Sequence, residues 1–142
     1  MKRIWMTAGA LIAALTGTGS IHWRGGPHDR QSSIGSASGD VDARQAAELI
    51  RQNPDMIVVD VRTPEEFAEG RIHGARNIDL HHAQFKERVG ALDRNGVYLI
   101  HCRSGHRSSK ALKVFEELRF ERVYHLDGGL MAWAKAGQPI VR

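Results

Sequence analysis

Val97-Tyr98-Leu99-Ile100-His101-Cys102-Arg103-Ser104-Gly105-His106-Arg107-Ser108-Ser109-Lys110-Ala111-Leu112-Lys113-Val114-Phe115 changes character twice within a short span. Residues 97–102 form a nearly continuous apolar run. Continuous rather than alternating apolarity predicts a strand buried on both faces, as in a parallel sheet. Residues 103–109 are polar and basic and contain Gly105. Ala111, Leu112, Phe115 and Leu118 then fall on one side of a helix predicted over 107–118. Working outward, MIVVDV (56–61) and VYHL (123–126) read as further buried strands, and ARNI (75–78) as a weaker one. Helices are predicted between them. Asp42 can cap a helix over 42–52 with Ala46, Ala47, Leu49 and Ile50 on one face. Pro64 opens another over 64–69, with Glu65 and Glu66 in its first turn. Residues 82–92 carry Phe85, Val89 and Leu92 at helical spacing, and 129–136 close the chain around Trp133. Alternating strands and helices with short connections make an α/β fold.

The chain has 142 residues, 42% hydrophobic and 25% charged. These proportions fit one soluble domain and exclude wholesale disorder, collagen and a multi-span membrane protein. A single cysteine excludes an internal disulfide and a multi-cysteine zinc site. The formal charge of +4 is concentrated at the start, where Lys2, Arg3, Arg24 and Arg30 face only Asp29. Residues 40–142 are close to neutral, so no basic face for nucleic acid is expected.

Met1-Lys2-Arg3 is a short cationic start, and the uncharged stretch IWMTAGALIAAL (4–15) follows it, then small turn-prone residues. Residues 1–20 read as a secretory signal peptide or as an N-terminal membrane anchor; an amphipathic cytosolic tail is the third reading. Twelve residues span about 18 Å of helix, short of a bilayer core of about 30 Å. The uncharged stretch runs on through Ile21, so a tether through residues 4–21 stays open, and no clear A-x-A cleavage site is present. Residues 21–39, rich in Gly and Ser, are expected to be a flexible linker, and 40–142 to be the folded domain. A lone thiol suits an oxidising compartment. The expected location is therefore periplasmic or otherwise exported.

A lone cysteine is most often an inert small hydrophobe. Cys102 instead ends a strand and leads through a polar loop into a helix. Ligands of open α/β sheets bind at the carboxyl ends of strands. A loop with Gly105 can turn its amides inward as an anion cradle. With Arg103 and Arg107 nearby, these groups favour thiolate over thiol, so the Cys102 pKa is expected to fall.

Several pieces then match one family in order. Asp60-Val61-Arg62, Glu66-Phe67, Gly70 and Ile72-His73-Gly74-Ala75-Arg76-Asn77-Ile78 come first; His101 to Ser108 form the loop; Asp127-Gly128-Gly129-Leu130, Trp133 and Gly137-Gln138-Pro139 close the chain. Over residues 40–142 the sequence resembles the rhodanese-like sulfurtransferase family in its single-domain form. Arg71 departs from the family pattern, which usually shows His there. The resemblance implies a five-stranded parallel sheet flanked by helices. It also implies a reaction class. Four residues separate Cys102 from Arg107, whereas the family's phosphatase relatives have five; the shorter loop goes with sulfur and the longer with phosphate or arsenate.

The reaction so implied is covalent. The Cys102 thiolate takes the outer sulfur of thiosulfate or a similar small anionic donor, and a thiol or cyanide acceptor removes it from the persulfide. Cys102 is the catalytic residue. Arg103 and Arg107 would bind the anionic donor, while amides from Ser104, Gly105, His106, Arg107 and Ser108 steady the persulfide. Asp60, Arg62 and Glu66 read as structural support through ion pairs and hydrogen bonds, and Trp133 as core. His101 should point away from the loop, and His106 toward solvent or substrate. His81 and His82 are adjacent and diverge on a helix, so no metal is expected; no cofactor is needed. The alternative readings are a non-turnover persulfide carrier or redox-sensing module, a phosphatase or arsenate reductase of the same fold, and a non-catalytic interaction domain. The sequence leaves the oligomeric state open.

Overall fold

The computed structural model describes residues 38–142. The predicted signal or anchor (1–20), and the predicted linker except Ser38 and Gly39, lie outside the described residues. Ten elements follow in order: β1 Gly39–Val41, α1 Ala43–Gln52, β2 Ile57–Asp60, α2 Pro64–Glu69, β3 Arg76–Asn77, α3 Phe85–Gly90, β4 Val97–His101, α4 His106–Glu117, β5 Arg122–Leu126 and α5 Gly129–Lys135. Five strands form one sheet in the order β1-β5-β4-β2-β3, and every pairing is parallel. The expected α/β class and five-stranded parallel sheet are present. The strand that residue patterns alone do not show is β1, which begins inside the predicted linker at Gly39 and pairs with Tyr124 to Leu126.

Strand parity divides the core. Tyr98 and Ile100 of β4 pack with Val59, Val61, Phe85, Val89, Phe115 and Val123 on one face. Leu99 packs with Val58, Leu49, Ile72, Tyr124, Leu126 and Trp133 on the other. The first face is anchored by Tyr98, Phe115 and Phe120, whose ring centroids lie 5.0 to 5.9 Å apart, tilted or edge-on as aromatic quadrupoles prefer.

Local chemistry fixes the helix starts. Asp42 accepts from the amides of Arg44 and Gln45, and the Gln45 side chain accepts from the Asp42 amide. Thr63 and Glu66 form the same reciprocal box at α2, with Pro64 at its first position. Such boxes satisfy amides that have no partner inside the helix. Arg71 exchanges both backbone hydrogen bonds with Val141 and stacks its guanidinium over Phe67 at 4.9 Å. The residue that departs from the family pattern thus ties the chain's end to the segment after α2.

Candidate active site

β4 is the middle strand, and Cys102 follows its last residue. Parity puts the Cys102 side chain on the Ile100 face, and the residue is only 1% exposed. The thiol nevertheless meets polar groups. The Gly105 amide donates to Cys102 Sγ at 3.1 Å, and the Ser108 hydroxyl lies 3.4 Å from the same sulfur. Burial pushes the Cys102 thiol up. Hydrogen bonds from the Ser108 side chain and from the amides of Ser108, Gly105 and Ser104 outweigh it and hold the thiol below its ordinary value. Anionic sulfur is therefore favoured by the fold of the loop.

Two glycines permit that fold. Gly105 adopts a φ of 99° where the loop turns into α4, a region costly for any residue with a Cβ. Gly129 sits at φ 58°, so close to the loop that a Cβ would lie 2.5 Å from the Cys102 carbonyl oxygen. From there the Leu130 amide donates to the Cys102 carbonyl at 2.9 Å and the Met131 amide to the Arg103 carbonyl at 3.0 Å. The first turn of α5 therefore clasps the backbone around the thiol.

The arginines behave differently from one another. Arg107 directs both terminal nitrogens at the Glu66 carboxylate, at 2.7 and 2.8 Å. This pair holds the Glu66 carboxyl well down, to about 2, with the Arg107 hydrogen bond the main cause. Arg107 is thus charge-neutralised at the rim and reaches Cys102 only through its field. Arg103 is exposed and lines a cleft of about 360 Å³ with Arg62, Glu66, Leu130, Met131 and Ile140. Ser104 and His106 are also exposed, while Gly105 and Ser108 are buried. The structure brings Ser104, Gly105 and Ser108 to the sulfur, so amides and a hydroxyl contact it directly, while Arg107 acts on it through its field.

Beneath the loop, Asp60 and Arg62 form a buried pair at 2.7 Å, and Arg62 also donates to the Gly70 carbonyl. His101 lies on the Asp60 side of the sheet. Its Nδ1–H donates to the Cys102 carbonyl at 3.0 Å. Burial pushes the imidazole below the ordinary histidine range, although Asp60 opposes this. His101 is therefore neutral near pH 7. Its Nε2 is buried without a hydrogen-bond partner, 3.7 Å from Asp60.

Sequence reasoning missed His125 and Asp40. His125 Nε2 lies 2.8 Å from the Ser108 oxygen, and His125 Nδ1 lies 2.8 Å from Asp40 Oδ1. The signal was available: Val123 and His125 share a side of a predicted strand, and in a parallel sheet that side adjoins one face of its neighbour. Among the described residues, no group of three or more His, Cys, Asp or Glu side chains could hold a metal ion.

Residues 42–136 match the rhodanese-like domain family. A sulfurtransferase of Allochromatium vinosum is 33% identical over 102 residues, covering 72% of this chain and 94% of that protein. The thiosulfate sulfurtransferase GlpE of Pseudomonas aeruginosa is 37% identical over 92 residues, covering 63% and 82%. Among solved structures, a rhodanese-related protein of Thermoplasma volcanium superposes with a TM-score of 0.64 at 28% identity, covering 72% of this chain and 96% of that one.

Proposed function

Because the chain belongs to the rhodanese-like family and is similar to sulfurtransferases of Allochromatium vinosum and Pseudomonas aeruginosa, we propose that it moves a sulfane sulfur through a persulfide on Cys102. In the first half-reaction the Cys102 thiolate attacks the outer sulfur of a small anionic donor such as thiosulfate. A sulfur–sulfur bond forms to Cys102, and the donor's own sulfur–sulfur bond breaks, so sulfite leaves with that electron pair. In the second, cyanide or a thiolate attacks the outer persulfide sulfur and departs as thiocyanate or a new persulfide, and Cys102 returns as thiolate. Donor and acceptor balance each other, so no external oxidant or reductant is required.

The observation that carries this reading is the Gly105 N–H···Sγ contact of 3.1 Å within the short loop closed by Arg107. An amide already aimed at the sulfur holds negative charge there before and after sulfur transfer, as an oxyanion hole does for oxygen. Arg103, exposed at the cleft, supplies charge for the donor, and Arg107 joins it to the extent that Glu66 releases it. The cationic start and the uncharged stretch 4–15 support an exported or membrane-tethered enzyme.

Intact mass after thiosulfate treatment tests the proposal. The chain is expected to gain one sulfur atom, and Cys102→Ala none. Multiple turnovers with thiosulfate and cyanide are expected and should vanish in Cys102→Ala, since no other thiol exists. Retained turnover in that variant would refute the covalent route, and a single turnover that stalls would make the chain a carrier.

A further inference from the structure

Behind Cys102 lies an unbroken line of polar groups: Sγ, Ser108 Oγ at 3.4 Å, His125 Nε2 at 2.8 Å beyond it, and Asp40 Oδ1 at 2.8 Å from His125 Nδ1. Cys102, Ser108 and His125 are all buried, whereas the Asp40 side chain is 74% exposed. The line therefore connects the buried thiol to the surface at the sheet edge.

The proton positions follow from the partners. A ring nitrogen facing a carboxylate carries the proton, so His125 Nδ1–H donates to Asp40. In neutral His125, Nε2 is then an acceptor and takes the Ser108 hydroxyl proton. The Gly105 carbonyl, 3.1 Å from the same oxygen, is a further acceptor for that hydroxyl and also accepts from the Ser109 amide at 3.0 Å. With its proton turned toward His125, Ser108 presents a lone pair to the sulfur, which suits a thiol. If Nε2 instead carries a proton, it donates to Ser108, and the hydroxyl turns to the sulfur, which suits a thiolate.

We propose that Asp40, His125 and Ser108 form a proton relay for Cys102, in which the thiol proton passes to the Ser108 oxygen as the Ser108 hydroxyl proton passes to His125 Nε2. One S–H bond breaks, one N–H bond forms, and Ser108 exchanges one O–H bond for another. The products are a thiolate and an imidazolium held between Ser108 and Asp40. The inference rests on Cys102 being the nucleophile. His125 touches no substrate and acts through Ser108, so it is a positioning residue. The titratable groups around His125 are Asp40 on β1, Cys102 beyond Ser108, Glu116 of α4, which lines a cavity of about 240 Å³ together with His125 and Asp40, and neutral His101 on β4.

The single cysteine makes the test direct, because every iodoacetamide adduct reports Cys102. The alkylation rate of the full chain is followed between about pH 5 and pH 10. In His125→Asn, a shorter side chain that still reaches toward Asp40, the onset is expected to rise by about one pH unit, a roughly tenfold loss of rate on the acid side. Asp40→Asn should shift it the same way but less. Coincident profiles for wild type and folded His125→Asn would overturn the relay. Should that variant not fold, NMR of the wild-type imidazole decides. Alkylating Cys102 removes the thiolate, so His125 should take its proton at lower pH, and an unmoved midpoint overturns the relay as well. Neither measurement needs a sulfur donor. A shifted profile in a chain that gains no sulfur keeps the relay and removes only the sulfurtransferase reading; sulfur gain with an unshifted profile does the reverse.

Discussion

Glu66 performs two tasks with one carboxylate. One oxygen closes the capping box by accepting from the Thr63 amide at 3.1 Å, and both hold Arg107. With the folded value near 2 against an ordinary 4.5, the pair's contribution to stability is complete above about pH 4.5. It fades as pH falls toward 2, because only the ionised carboxyl binds Arg107. The full shift corresponds to about 3 kcal/mol. Both side chains are about a quarter exposed, so screening reduces it to about 1–2 kcal/mol. Denaturant midpoints of wild type and Glu66→Gln should accordingly differ near pH 6 and converge near pH 2. A difference independent of pH would assign the effect to the cap alone. Legibility at this scale followed chain proximity. Cys102, Gly105 and Ser108 stand in one short stretch, so their meeting could be read from it. Asp40 and His125 are 85 positions apart, and only strand order brings them together. Arg107 was legible as a cation near the thiol, but its partner across the fold was not.

At the scale of elements, the site depends on how closely α5 approaches the loop. Gly129 makes that approach possible: besides the Cys102 oxygen, an added Cβ would meet the Arg103 carbonyl oxygen at 2.6 Å, and both are backbone atoms that cannot swing aside. Gly129→Ala is expected to cost at least about 2 kcal/mol, from the left-handed backbone and the clash together. It should also lower turnover, because the clasp on the Cys102 and Arg103 carbonyls must open. Gly39→Ala is the control. A Cβ there meets nothing within 4 Å, and its effect should stay within about 0.5 kcal/mol. Chemical denaturation and thiosulfate turnover of both variants check this, and equal behaviour would mean that the clasp does not govern the site. Helix starts were legible because Asp42 and Pro64 carry local signals, whereas the Thr63 cap of α2 came from the structure. β1 was not: Gly-Asp-Val is three residues long with one apolar side chain, and its pairing with β5, not its composition, makes it a strand. The helix expected over 82–92 shortens to Phe85–Gly90 because His82 begins a turn instead, its Nδ1 accepting from the Gln84 amide at 3.1 Å.

For the whole molecule, apolar runs showed which segments lie inside a sheet, but a run buried on both faces does not name its neighbours. The order β1-β5-β4-β2-β3 therefore comes from the three-dimensional structure. Its consequence is a sheet that separates two cores, with the thiol on one side and neutral His101 on the other. Leu49 belongs to the core under α1 and α5, and Val89 to the core under α3 and α4. Leu49→Ala should cost about 2–5 kcal/mol and Val89→Ala about 1–3 kcal/mol. Because the two side chains belong to different clusters across the sheet, the double variant should lose the sum of the two within about 0.5 kcal/mol. The m-value should stay unchanged if both cores melt together. A coupling above about 1 kcal/mol would show that strain crosses the β2–β4 ladder. That ladder ends at Asp60 paired with His101, directly beneath the Cys102 carbonyl. A core substitution on the Leu49 side would then alter iodoacetamide reactivity on the opposite face, whereas additive cores leave the reactivity of the folded chain as it was.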